Sequence, residues 1–218
     1  TLEKLTVFSD TLNFLNHITN LKSGLFIVSG ATGSGKSTTL YTLLDTINQR
    51  YKKNIVTLED PIEINKDYCL QLQINEKLGI TYQNSLKQIL RHDPDVIMIG
   101  EIRDKKTAKL AITCALTGHL VLTTIHSSDC LITIRRLLNL GVIKIDLEDV
   151  LVGVLAQKML YDKKNHTPLI LPEFLNRKNI LKYFNNEAME YRTFKQNALY
   201  LFEHDYIDYI QIAGTINE

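Results

Sequence analysis

The sequence has almost no net charge. Twenty-five Lys and Arg stand against 24 Asp and Glu, leaving +1 at pH 7. Bulk electrostatic attraction to nucleic acid or anionic lipid is therefore not expected, and only a local patch would serve that purpose. No apolar run approaches the ~20 residues that span a bilayer, so no integral membrane segment is expected. Thr1 to Asn20 mixes polar and apolar residues and does not read as a secretory leader. Cysteine is scarce: Cys69, Cys114 and Cys130 lie far apart and form no C-x-x-C pair. That argues against a zinc site or disulfide framework and leaves small buried hydrophobes in a reducing compartment. The chain opens on Thr1 rather than Met, as a fragment would. Its 218 residues, 44% hydrophobic and 22% charged, suffice for one substantial α/β domain with a small appendage.

The most informative stretch is Gly30-Ala31-Thr32-Gly33-Ser34-Gly35-Lys36-Ser37, which matches G-x-x-x-x-G-K-S. It follows an apolar run, Leu25 to Val28, that reads as a buried strand. It precedes Thr38 to Leu44, which reads as the first turns of a helix. Strand, loop and helix are the context in which such a pattern becomes a phosphate cradle. Glycines let successive N–H groups point at one anion, and the helix N-terminus adds positive partial charge. Lys36 would reach the β- and γ-phosphates, and the Ser37 hydroxyl would hold Mg²⁺. The expected ligand is thus ATP with Mg²⁺, on Gly30, Ala31, Thr32, Gly33, Ser34, Gly35, Lys36, Ser37 and Thr38.

Around this loop the chain reads as follows. Residues 1–22 form one amphipathic helix, with Leu12, Leu15, Ile18 and Leu21 on one face and Asp10 as its cap. Asn54 to Leu58 is a second strand, ending in Glu59-Asp60-Pro61-Ile62-Glu63. Three acids in five residues make a solvated turn in most proteins; at a strand end in an α/β sheet they face the ligand crevice. Residues 65–80 are irregular apart from an alternation at Leu70, Leu72 and Ile74. Thr81 caps a helix over 82–91, which stops before Pro94. Asp95 to Glu101 is a continuous apolar run, as in a strand buried on both faces of a parallel sheet. It delivers Glu101 to the strand end, where phosphate-loop ATPases keep an acid that holds Mg²⁺ or orients water. The alternative role for Glu101 is to cap the helix starting near Asp104.

A helix at 105–117 ends at Gly118, and His119 to His126 is another buried strand that puts His126 on the Glu101 edge and His119 at the far end. Asp129 caps a helix bearing Arg135 and Arg136 and closed by Gly141. Residues 142–160 are apolar segments. After a polar break from Asp162 to Thr167 come a short strand, Leu169 to Leu171, and helical patches from Arg177 to Gly214. The expected division is a linker helix at 1–22, a core at 23–160 and a small, mostly helical subdomain at 161–218.

Four blocks in this order resemble the ATPase family that powers type II secretion, type IV pili and competence pili, over about residues 24–160. Gly30 to Tyr41 resembles its Walker A segment. Thr57 to Glu63 resembles its acidic box. Leu90 to Asp95 with Gly100 to Asp104 resembles its Walker B, and Thr117 to Leu120 with Thr124 to His126 its histidine box. The resemblance implies a RecA-like core, a homo-hexameric ring, and a cytoplasmic motor held at the inner face of the cell membrane by an inner-membrane platform protein. It implies that Lys36 and Ser37 bind phosphate and Mg²⁺ and that Glu101 activates water or supports the metal. Glu59 and Glu63 would assist, while His126 and Arg103 would couple nucleotide state to the fold. Ala31 replaces the family's usual proline, and Gln157-Lys158-Met159-Leu160 stands where an Ala-Gln-Arg-Leu-like segment is usual. The four-cysteine zinc element and the carboxy-terminal signature of retraction motors are missing, which points to the competence-pilus branch and DNA uptake. The family's amino-terminal domain is expected to be missing apart from its last helix. Two other readings stay open: a nucleic-acid translocase on the same core, although no direct nucleic-acid binding is expected, and a nucleotide-gated scaffold with little turnover.

Overall fold

The computed structural model describes residues 1–216. Its frame is a seven-stranded sheet of β1 (Gly24–Ser29), β2 (Ile55–Glu59), β3 (Leu70–Gln73), β4 (Val96–Ile99), β5 (Leu120–Ile125), β6 (Leu151–Asp162) and β7 (Thr167–Asn176). The order is β3-β2-β4-β5-β1-β6-β7. Neighbours run parallel except β7, which is antiparallel to β6. The expected α/β architecture with a mostly parallel sheet is therefore present.

The central strands read as unbroken apolar runs because both faces are covered. Successive side chains point to opposite faces, and the core splits accordingly. Phe26, Val28, Val96, Met98, Leu120 and Leu122 join one cluster with helices α1 (Ser9–Thr19) and α2 (Lys36–Tyr51). Leu25, Ile27, Ile97, Ile99 and Val121 join the other. That second face is covered by α3 (Tyr82–Ile89), α4 (Lys105–Leu116), α5 (Cys130–Asn139) and α6 (Lys144–Val150). The tail helices α7 (Arg177–Phe184), α8 (Phe194–Glu203) and α9 (Tyr209–Ile216) add Ile180, Phe184, Phe194, Leu201 and Ile212 to the same cluster.

Because β1, β2, β4 and β5 are parallel, the residues that follow them meet at one edge. Gly30, Asp60, Glu101 and His126 are delivered there by four different strands. Helix caps fix the elements in between. Thr81, Asp104 and Asp129 each accept a hydrogen bond from the backbone N–H three residues on, as expected of caps.

Three local expectations change. The helix over 1–22 is shorter: a 3₁₀ turn at Leu2–Lys4 is followed by α1, which begins only at Ser9. The Leu5 carbonyl is taken by the Ile170 N–H (3.2 Å) and Thr6 Oγ1 donates to the Ile170 carbonyl (3.1 Å), so β7 pulls these residues out of the helix. Asp10 does not cap it; the N-cap residue is Phe8, and Asp10 accepts from the Thr11 N–H at 2.7 Å. At the other end, β6 runs through the expected boundary at 160/161 and pairs over ten residues with β7, far longer than the strand expected at 169–171. The polar break is the hairpin turn, where Asp162 Oδ1 accepts from the Lys164 N–H at 2.8 Å. Pro168 and Pro172 mask β7 as a strand, yet an edge strand tolerates proline because its outer N–H positions need no partner.

Candidate functional site

The loop between β1 and α2 needs three positive-φ residues, and glycine supplies all of them: Gly30 has φ +150°, Gly33 φ +79° and Gly35 φ +87°. A Cβ at Gly33 would meet nothing within 4 Å, so the backbone there is open to a ligand. Gly35 is the N-cap of α2 and offers no side chain to its first turn. The N–H groups of that turn have no partner within the helix, and together with the helix dipole they suit an anion. Lys36 Nζ donates to the Gly30 carbonyl (3.0 Å) and the Ala31 carbonyl (2.8 Å), bracing the loop from inside. Burial lowers the Lys36 pKa from its ordinary 10.5, and the charges of Glu101 and Glu63 work against that shift. Two carboxylates thus help to keep the ammonium charged.

Gln157, on β6, holds the loop from behind. Its Nε2 donates to the Ser34 carbonyl at 2.6 Å and its Oε1 accepts from Thr39 Oγ1 at 2.9 Å, at 1% exposure. Beside the loop lies a cavity of about 630 Å³. Thr32, Gly33, Gly35, Lys36, Ser37, Thr38, Glu59, Glu63, Glu101 and His126 all line it, so most expected site residues converge. Gly30, Ala31 and Ser34 do not; they line a second cavity, of about 780 Å³, behind the loop crest with Arg135, Gln157 and Glu173. The reason is local: Gly30 ends the strand beneath the crest, and Ser34 turns its side chain inward at 4% exposure.

The acids differ in their surroundings. Glu101 follows β4, and its position is fixed by the Ile102 N–H bonding to the Thr124 carbonyl (2.8 Å) and Thr124 Oγ1 bonding to the Gly100 carbonyl (2.7 Å). Its Oε2 accepts from Arg103 Nε at 2.9 Å and its Oε1 lies 3.3 Å from His126 Nε2. Arg103 also reaches Asp60 at 3.5 Å, and the hydrogen bond and charge of Glu101 raise its pKa. Glu101, Arg103 and His126 therefore form one connected group. Asp104, not Glu101, caps α4.

Glu59 is buried at 4% exposure, and both its oxygens are occupied. Oε1 accepts from Thr57 Oγ1 (2.5 Å) and Gln71 Nε2 (3.1 Å), and Oε2 from the Tyr41 hydroxyl. Glu59 is thus built into the wall, whereas Glu63 is exposed on the cavity rim. His119 caps the far end of the site's strand, with Nδ1 3.0 Å from the Cys114 carbonyl. Sequence reasoning assigned no role to Tyr41, Gln71, Tyr82 or Gln157. Tyr41 lies inside the first of the four blocks and Gln157 in the separate 157–160 segment, but their partners are 18 and 118 residues away.

A family model described as "Type II/IV secretion system protein" matches residues 1–198. The chain belongs to this family. It is 46% identical over 163 residues to "Competence protein ComGA" of Bacillus subtilis (strain 168), a match covering 73% of this chain and 45% of that protein. It is 41% identical over 168 residues to "Type II secretion system ATPase E" of Vibrio cholerae, covering 68% and 33% respectively. The chain therefore spans less than half the length of these type II/IV secretion relatives. Among solved structures it matches the pilus retraction motor PilT with bound ADP at a TM-score of 0.79 and 29% identity, covering 98% of this chain and 66% of that one. The family's sheet and phosphate loop form the RecA-like core expected from the sequence.

Proposed function

We propose that this chain is the ATP-hydrolysing part of a motor that assembles a competence pilus or a type II secretion-like machine for DNA uptake. One observation carries the reading: Lys36, at the start of the phosphate-loop helix, and Glu101, at the tip of β4, face the same cavity, where the Glu101 charge opposes the lowering of the Lys36 pKa by burial. The PilT structure with ADP and the relative named as an ATPase support it. ATP would lie with its phosphates on residues 30–37. The Ser37 hydroxyl and Glu101 are hard oxygen donors that fit Mg²⁺. When bound, Mg²⁺ would neutralise charge on the β- and γ-phosphate oxygens. Glu101 would orient the attacking water, Glu63 would assist from the rim, and Glu59 would act through the wall it stiffens. His126 and Arg103, bonded to Glu101, would report whether the γ-phosphate is present. Catalysis would be positioning and charge stabilisation. The working form would be a homo-hexamer in the cytoplasm, docked on an inner-membrane platform protein, with no direct contact to nucleic acid. Among the described residues, no helix is long and apolar enough to cross a membrane.

One observation favours a second reading. Glu101 is already engaged by Arg103 and His126, as suits a scaffold that binds nucleotide and hardly turns it over because its acid is occupied. Steady-state ATP hydrolysis against protein concentration, with and without single-stranded DNA, separates the readings. A rate per chain that rises with concentration and ignores DNA supports the motor. Binding without turnover at any concentration favours the scaffold, and clear stimulation by DNA favours a translocase.

A further inference from the structure

Between β2 and β3 the chain runs over residues 60–69 without a regular element, carrying Asp60 and Glu63. Pro61, Glu63, Ile64, Asn65 and Asp67 are exposed, so little apolar burial holds this segment in place. An exposed loop of this length is costly to order, and polar pins must do it. Two are present. Gln71 on β3 uses its whole amide: Oε1 accepts from the Lys66 N–H (2.6 Å), and Nε2 donates to the Ile64 carbonyl (3.0 Å) and to Glu59 (3.1 Å). Asp45 on α2 supplies the second. Lys66 Nζ bonds both its oxygens (2.7 and 2.8 Å) and the Tyr68 hydroxyl adds a third bond (2.6 Å). Asp45 sits on the helix that begins with Lys36. The loop bearing Glu63 is thereby fastened to the element that carries Lys36, which lines the same cavity.

We propose that Gln71 and Asp45 are positioning residues that hold Glu63 at the rim of the cavity it shares with Lys36. Neither lines the cavity; just past Glu63, Gln71 acts through the backbone of Ile64 and Lys66, and Asp45 through the Lys66 and Tyr68 side chains. The proposal rests on the ATPase reading above for its kinetic consequence, but not for its structural one.

The test combines kinetics with amide hydrogen exchange on Asp45→Asn, Gln71→Leu, Glu63→Gln and the double variants. Small misplacements of positioning groups cost up to about 100-fold in rate. Asp45→Asn and Gln71→Leu should therefore lower kcat by about tenfold or more, while affinity for a fluorescent ATP analogue stays within about threefold. Adding Asp45→Asn to Glu63→Gln should cause no further loss, because the clamp acts through a carboxylate already gone. A purely structural role predicts losses that multiply, and that result, or full kcat in the clamp variants, overturns the proposal. Exchange at the Lys66 amide, whose N–H donates to Gln71 Oε1, should quicken about tenfold in both clamp variants; unchanged exchange also overturns it. Asp45 is partly exposed, so its variant remains informative if Gln71→Leu fails to fold. If the unmodified protein hydrolyses no ATP, the function above fails, while exchange still decides whether the clamp exists.

Discussion

Replacing Tyr41 with Phe removes one hydroxyl and nothing else from the wall of the cavity. The ring is 3% exposed and keeps its packing among Leu40, Leu43 and Leu44. Its hydroxyl donates to Glu59 Oε2, and without it the carboxylate retains only Thr57 and Gln71, both on Oε1. A hydrogen bond to a charged group contributes about 1.5–3 kcal/mol, and burial of both partners leaves no reason to discount it for solvent. For a chain of this size each kcal/mol moves Tm by roughly 2–4 °C, so Tyr41→Phe should lower Tm by about 3–12 °C. Urea unfolding followed by circular dichroism should show an earlier midpoint with an unchanged slope. The pH dependence has a definite sign. Burial, with the Glu59 hydrogen bond and charge, pushes the Tyr41 pKa well above the usual tyrosine value. A raised folded pKa means the contribution is fully present below the unfolded value of about 10 and is lost as pH climbs through the folded one. The gap between the two proteins should hold from neutral pH to about 10 and shrink beyond it. A loss below about 0.5 kcal/mol, within the usual range for substitutions that touch no such network, would refute the claim that Glu59 is a fixed part of the wall.

Further outcomes follow from the same geometry. Glu101→Gln should bind ATP as the unmodified protein does and lose turnover by about 10²–10⁴-fold, the usual span for a general acid–base group; unchanged kcat would remove Glu101 from its proposed role. Lys36→Ala deletes a half-buried cation and should weaken binding of a fluorescent ATP analogue by about 30-fold or more, since removing one partner of a charge pair that the bound nucleotide would bury costs about 2–5 kcal/mol. Asp104→Ala removes the cap of α4, whose oxygen accepts from the Thr107 N–H at 2.8 Å, and should cost about 0.5–2 kcal/mol in thermal unfolding. That backbone hydrogen bond holds the Asp104 pKa below its ordinary 3.8. The Asp104→Ala deficit should therefore be complete above about pH 4 and fade as pH falls through the lowered value.

The parts of the site legible in sequence are those whose cause is local. A glycine that must be left-handed, a lysine one residue later and a helix start are all contained in residues 30–37. Parallel apolar strands ending in Glu101 and His126 bring those side chains to the same edge without further information. The caps at Thr81, Asp104 and Asp129 lie within three residues of the N–H groups they satisfy. What stayed hidden depends on distant partners. Nothing near Gln157 announces that its amide spans the loop at Ser34 and Thr39. Nothing near Glu59 announces that Tyr41 and Gln71 will occupy it, so a carboxylate that looks available at a strand tip turns out to be enclosed. The early helix fails for a similar reason, since the Leu5 carbonyl is claimed by Ile170, 165 residues on, and local periodicity carries no trace of that pairing. The β6–β7 hairpin is obscured by two prolines that only its edge position makes tolerable.

ATP binding at the loop of residues 30–37 requires Lys36 to exchange its internal carbonyl acceptors for a phosphate. A crystal structure with Mg²⁺ and a non-hydrolysable ATP analogue tests this most directly. It should show Lys36 Nζ turned from the Gly30 and Ala31 carbonyls, which it now holds at 3.0 and 2.8 Å, onto the phosphates, with Glu101 beside the γ-phosphate. A saturated crystal in which Lys36 keeps both carbonyls, or in which the triphosphate lies away from Glu101, would contradict it.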